Sequence, residues 1–296
     1  SGRPGSLFWS FKRKAGRLKA GRDKVMAQYS LFFIQRFKGK VIFNVPMSGY
    51  TSLRIGGCAD VMAFPQDEGD LKDLLVFAET KNFPYYVLGA GTNLLVRDGG
   101  IRGIVINMAD GFKDIAWQEE DKAVVGAGVR LAEALAQCRE RGMGGIEFAA
   151  NIPGTVGGAV AMNAGAYGSE MKDVVEGVEV IGRKGHKGFI PKSELNFSYR
   201  RAEVPRGAVI ARVHMRFEKK SVDEVAERIR AMREKRKASR EAHRRGRIEG
   251  RKVRGRAGVR GARQLYRQPR QRQGQGRPCA DGAGEGQGIR HKGDSP

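Results

Sequence analysis

Two clusters of small residues are the parts of this 296-residue chain best suited to holding a ligand. The first is Gly89-Ala90-Gly91-Thr92-Asn93, followed by Leu94-Leu95-Val96. Glycine lets backbone approach a bound group closely, and the N–H groups of a tight turn can point at an anion. Thr92 and Asn93 add side-chain donors. The second is Ile152-Pro153-Gly154-Thr155-Val156-Gly157-Gly158-Ala159, which runs on into Met162-Asn163-Ala164-Gly165-Ala166-Tyr167-Gly168. Its spacing is not a dinucleotide fingerprint, and no Gly-Lys-Ser/Thr makes a phosphate loop. Glycine inside an element costs ~0.5–1 kcal/mol relative to alanine, so so many glycines need a reason. Tight turns are one reason. Close contact with a large flat ligand is the one we favour.

Other chemistry is poorly represented. Cys58, Cys138 and Cys279 are far apart, with no CxxC pair, and His186, His214, His243 and His291 show no ligand spacing. Neither a metal site nor a disulfide framework is expected, and a reducing cytoplasm is the simplest setting.

The elements that must carry the two clusters read as follows. Residues 41–65 form short strands with turns. From Asp70 to Lys81, Leu71, Leu74, Leu75 and Ala78 recur at helical spacing with Asp70 as the cap. Tyr85–Leu88 is a strand that delivers the first cluster. Ile101–Ile106 and Ala123–Val125 are strands, and Leu131–Arg141 is a helix that stops at Gly142. Val174–Ile181 and Val209–Phe217 are further strands. Val222–Ala238 is a helix with Val225, Ile229 and Met232 on one side. Such alternation indicates an α/β or α+β unit.

The formal charge of +23 sits mainly at the two ends: +7 in residues 1–25 and +11 in 239–296, leaving +5 between. Basic ends invite a reading as a nucleic-acid-binding protein, but the tail offers Tyr266 as its lone aromatic and no reader motif. Residues 239–296 hold fourteen Arg and twelve Gly but no Phe, Trp or Met. They cannot bury enough apolar surface to offset chain entropy, so disorder is expected there and in the basic extension 1–25. Met26 is the expected natural start. No apolar run reaches the length of a membrane span.

Five blocks occur in order: Tyr50 to Gly57, Gly89 to Val96, Ile152 to Ala159, Asn163 to Gly168, and Phe197-Ser198-Tyr199-Arg200. Over residues 41–238 they resemble the UDP-N-acetylmuramate dehydrogenase family. The resemblance implies an α+β, two-subdomain FAD-binding fold of the vanillyl-alcohol-oxidase type. Subdomain 1 would span 41–108 and subdomain 2 109–220, with a helix at 221–238 leading to a third, substrate-binding domain. It implies FAD and NADPH as cofactors and reduction of UDP-N-acetylglucosamine enolpyruvate, a cell-wall precursor step. It places Arg54, Gly89, Ala90, Gly91, Thr92, Asn93, Leu94, Gly154, Thr155, Gly157, Gly158, Ala159, Asn163 and Gly165 at the cofactor. It places Tyr167 and Tyr199 at the substrate, and makes Arg200 catalytic. The family's Tyr-Arg pair usually continues with a small polar residue two places on, where this chain has Ala202.

The family's serine proton donor lies in a Gly-Ser-x-Phe-Lys-Asn-Pro motif, and its glutamate near the C-terminus. Neither has a counterpart here, so the third domain is expected to be missing or scrambled. Codons can be chosen for residues 241–251 and 264–271 that, one base later, spell phrases of that third domain. A deletion with a frameshift accounts for both. The alternatives are another FAD-linked oxidoreductase on the same fold, or a basic protein acting through its tails.

Overall fold

The computed structural model describes residues 32, 33 and 35–253. The chain divides after Lys38 into two units. In the described part of the first, Phe33 meets Phe32 and Phe37 edge-on, with ring centroids 5.2 and 5.4 Å apart. The expectations for 1–25 and for 254–296 lie outside the described residues.

The second unit is built on two sheets. Strand β1 (Lys40–Pro46) pairs antiparallel with β2 (Cys58–Phe64). Helix α1 (Glu68–Thr80) follows, then β3 (Tyr85–Leu88) and β4 (Ile101–Asn107). β4 lies parallel to both β2 and β3, which gives the order β1-β2-β4-β3. A helical crossover is what such parallel pairing requires, and α1 supplies it. Its N-cap is Asp67, whose carboxylate accepts the Asp70 N–H at 2.8 Å. Asp70, expected as the cap, instead lies inside the first turn and accepts the Gln66 N–H at 3.1 Å. The helix starts earlier than its apolar pattern because Glu68 and Gly69 add a turn without apolar residues.

The second sheet has order β11-β10-β12-β6-β5 and is antiparallel throughout. In chain order come β5 (Ile115–Gln118), β6 (Lys122–Gly126), α2 (Leu131–Glu140) and β7 (Met143–Gly144). The short α3 (Val156–Ala161) leads to the two-residue strands β8 (Gly165–Ala166) and β9 (Ser169–Glu170). Next are α4 (Met171–Val174), β10 (Val175–Ile181), β11 (Lys187–Pro191), β12 (Val209–Arg216) and β13 (Glu218–Lys219), which pairs with β7. Gly142, with φ 65°, ends α2 as expected. Alternate positions of β12 face the core, so Val209, Ala211, Val213 and Met215 are buried.

The last helix, α5, runs from Val222 to Val253. It therefore continues past Ala238, where the apolar face stops. Arg, Lys, Glu and Ala are good helix formers without tertiary contacts, and Glu224 pairs with Arg228 at 3.0 Å one turn on. Val225 and Ile229 are buried and anchor its first turns.

Helix α1 also joins the two sheets. Glu68 at its start meets both Arg212 of β12 and Lys187 of β11. Glu79 at its end meets Arg183 at 3.5 Å, and the Tyr85 hydroxyl donates to the Gly207 carbonyl. Cys138 is a buried free thiol. Cys58 is engaged in a disulfide, against the expectation from spacing; a pairing between distant cysteines leaves no local spacing signal.

Candidate active site

The first glycine cluster begins where β3 ends and is held at both sides by the core of the first sheet. Val45, Met47, Ala59, Met62, Phe64, Leu88, Val96 and Val105 form that core, with Tyr50 and Leu94 packed against it. Burying a side chain such as Val96 contributes ~1.5–3 kcal/mol, so the turn from Gly89 to Asn93 is pinned rather than free. Gly91 has φ 65°, and a Cβ there would sit 1.9 Å from the Tyr50 carbonyl oxygen. No other residue fits. The Ser52 N–H donates to the Gly91 carbonyl at 3.0 Å and ties this turn to residues 51–55. In that neighbouring turn the Thr51 hydroxyl donates to the Ile55 carbonyl at 3.0 Å. Arg54 has φ 54° at its tip.

The second cluster is stitched to the other sheet. Val156 N–H donates to Val129 at 2.8 Å, Gly157 N–H to Ala127 at 3.0 Å, and Leu131 N–H to Gly154 at 3.1 Å. A Cβ on Gly157 would lie 2.6 Å from the Ala127 Cβ, so glycine is needed for this close packing. Thr155 caps α3, its hydroxyl accepting the Gly158 N–H at 3.4 Å.

The two clusters meet. The Thr92 hydroxyl donates to the Pro153 carbonyl at 3.1 Å. A Cβ on Gly89 would come within 2.4 Å of the Thr155 hydroxyl oxygen. Around this seam, the N–H groups of Ala90, Gly91, Thr92, Asn93, Gly154 and Thr155 donate to no acceptor among the described residues. Gly91 and Thr155 are nonetheless buried. An unpaired buried donor costs ~1–3 kcal/mol. Six unpaired donors on two touching loops, two of them on buried residues, could cradle an extended anionic group.

Beyond α3 the chain makes two pointed tips. β8 and β9 form a hairpin whose turn, Tyr167-Gly168, has φ 57° and 91°, the mirror-type turn normally built from Asn and Gly. Ser198 and Arg201 exchange backbone hydrogen bonds of 2.9 and 3.2 Å around Tyr199-Arg200, and Arg200 has φ 60°. Tyr199 is 86% exposed, and the Arg200 guanidinium lies 5.8 Å from its ring centroid. Among the described residues neither Arg54 nor Arg200 meets a carboxylate. Their left-handed backbones are uncommon for large side chains and concentrate at functional sites.

Asn163 is placed differently from its neighbours in the cofactor set. It is buried, and its amide nitrogen donates to the Glu170 carboxylate at 2.8 Å and to the Ser198 carbonyl at 3.2 Å. Its oxygen accepts the Lys172 N–H at 3.1 Å. Glu170 is held below the usual carboxylate range, first by the hydrogen bond from Lys172 and then by that from Asn163. Glu170 and Lys172 lie outside the blocks read from the sequence, and Ser198, though inside one, was given no role there. Nor were Leu53, Ile55 and Leu95, which lie in the blocks around Arg54 and the first glycine cluster and are 52–64% exposed. Exposed apolar side chains grouped on a site mark a surface that a ligand covers.

A family model described as an FAD binding domain matches residues 59–187. UDP-N-acetylenolpyruvoylglucosamine reductase from Geobacter metallireducens is 40% identical over 202 residues, 68% of this chain and 67% of that protein. The enzyme of the same name from Anaeromyxobacter sp. is 41% identical, over 68% of this chain and 62% of the relative. The crystal structure of the Thermus caldophilus reductase matches with a TM-score of 0.58 and 33% identity, over 67% of this chain and 69% of that one. The chain belongs to the UDP-N-acetylenolpyruvoylglucosamine reductase family. It spans 62% and 56% of the length of two of the reductases it matches. FAD is the group the cradle fits: the matched segment contains both glycine clusters, and the unpaired N–H groups suit a pyrophosphate. Among the described residues no helix is long and apolar enough to cross a membrane, and no group of three metal-ligating side chains occurs.

Proposed function

We propose that this chain is built for the reductase step of its family and carries it out in impaired form: NADPH-dependent reduction of UDP-N-acetylglucosamine enolpyruvate to UDP-N-acetylmuramate, a precursor of peptidoglycan. FAD, when bound, supplies the carrier that takes hydride from NADPH and passes it to C3 of the enolpyruvyl group. The donors of Ala90–Asn93, Gly154 and Thr155 would hold the cofactor's phosphates, and the seam between the clusters orients it. Arg200 would bind the substrate carboxylate. Negative charge develops at C2 and spreads into that carboxylate, where a guanidinium that stays charged and bridges both oxygens stabilises it. Tyr167 and Tyr199 would flank the substrate.

The observation that carries this reading is Arg200: an exposed guanidinium without a carboxylate partner among the described residues, held on a left-handed tip. UDP-sugar and NADPH chemistry favours the cytoplasm as its compartment. Turnover by this polypeptide is proposed to be weak or absent, because the serine-donor motif is not found in its 296 residues. The test is to purify the full chain, titrate it with FAD, and follow NADPH oxidation with the UDP-sugar substrate. Bound flavin with little turnover is expected. A folded but colourless protein that takes up no FAD overturns the reading, and full turnover overturns the proposed impairment.

A further inference from the structure

We infer that Asn163 is a positioning residue: its carboxamide sets the spacing between the Tyr167 tip and the Tyr199-Arg200 tip, and it does not contact the flavin. Naming the two tips as substrate-facing rests on the function proposed above; the tether itself does not. A carboxamide offers two N–H donors and one carbonyl. Here the donors go to Glu170 and Ser198 and the carbonyl takes the Lys172 N–H. Both donors are spent on protein, and the residue is 4% exposed. Its backbone is left-handed at φ 39°, and its own N–H donates to Val160 at 2.9 Å.

The partners explain what the arrangement does. Glu170 closes the β8–β9 hairpin, opposite Gly165. Lys172 lies in the first turn of α4, and its ammonium also reaches Glu170 at 2.8 Å. Ser198 is the base of the other tip, 35 residues away in sequence. Each tip has one pair of short facing segments and one or two residues at positive φ. An isolated hairpin is marginal in water, and a non-glycine left-handed residue costs ~1–3 kcal/mol unless its surroundings hold it. The tips therefore need an external brace. Among the described residues Asn163 is the one side chain that bonds to both, and the Ala202 N–H donates to the Ala161 carbonyl at 3.1 Å.

The test is amide hydrogen exchange on the full chain, with and without FAD, alongside FAD titration. Asn163→Gly keeps the backbone conformation accessible and deletes the carboxamide. Exchange at Ser198, Arg201 and the 165–170 hairpin is expected to speed by about tenfold or more, while FAD affinity stays within about threefold. The double variant Asn163→Asp with Glu170→Gln reverses donor and acceptor across one bond. It should restore protection in 165–170 and leave Ser198 and Arg201 fast, a selective recovery that a general packing defect does not give. Loss of FAD affinity beyond about tenfold overturns the inference whatever the tips do. So does unchanged exchange at the tips, or acceleration spread evenly over β10 and β12. If the wild-type chain binds no FAD, the proposed function fails, and exchange on the flavin-free protein still decides the tether.

Discussion

Arg200 and Tyr167 occupy backbone regions that glycine or asparagine would fill without strain, and the side chain retained in each case is large and polar. For Arg200 the useful property is a planar fork, not charge alone. Arg200→Lys should therefore lose most of the affinity for the UDP-sugar substrate, nearly as much as Arg200→Ala, while both keep wild-type FAD content. Equal affinity of the Lys variant would show that charge suffices. Gly91 tests the cradle directly. Gly91→Ala places a Cβ against the Tyr50 carbonyl, and it should cost at least ~1 kcal/mol in urea unfolding together with most FAD affinity. Cys138 bears on no chemistry: burial first, and then the Glu147 carboxylate, raise its thiol from 9.0 to about 12. A group whose folded value is raised contributes stability that is complete below its unfolded value and lost as pH climbs to its folded one. Stability should thus fall between about pH 9 and 12 in the wild type and less so in Cys138→Ala, as read by denaturant midpoints. At neutral pH the native thiol should resist alkylation.

Helix α1 matters as a connector as much as a crossover. Glu68 serves two cations, on two strands of the second sheet that flank β10. Glu68→Gln should lower stability by ~1 kcal/mol, at the upper end for partly exposed pairs, and the difference should shrink in high salt. Elements with strong periodicity were legible in the sequence: α1, α2, β4, β10 and β12 fall where apolar spacing puts them. Elements without it were not. α3 is hidden because Gly157 and Gly158 lower helix propensity, and a tight stitch to Ala127 compensates. β11, Lys-Gly-Phe-Ile-Pro, lacks alternation and is an edge strand on which a terminal proline is tolerated. Both glycine clusters were visible because backbone packed so tightly that an added Cβ at Gly89, Gly91 or Gly157 would fall 1.9–2.6 Å from a neighbour leaves a compositional mark. The link from Asn163 to Ser198 was not, since a side-chain bond between distant segments imposes no local pattern.

At the scale of the molecule, the two halves of the cradle belong to different sheets. The donors of Ala90–Asn93 hang from β3, and those of Gly154 and Thr155 from the segment bonded to Ala127 and Val129. A ligand spanning both should stabilise the fold as one cooperative body. At one hundred times its dissociation constant FAD would add ~2.7 kcal/mol, seen as a rise in unfolding midpoint that UDP-sugar alone does not produce. The contact from Thr92 to Pro153 has a practical corollary. A flavin held across both sheets should let go when they undock, so its release becomes a gauge of their registry. A rise in flavin fluorescence on gentle warming, ahead of any loss of helical signal, would mark the moment the seam parts.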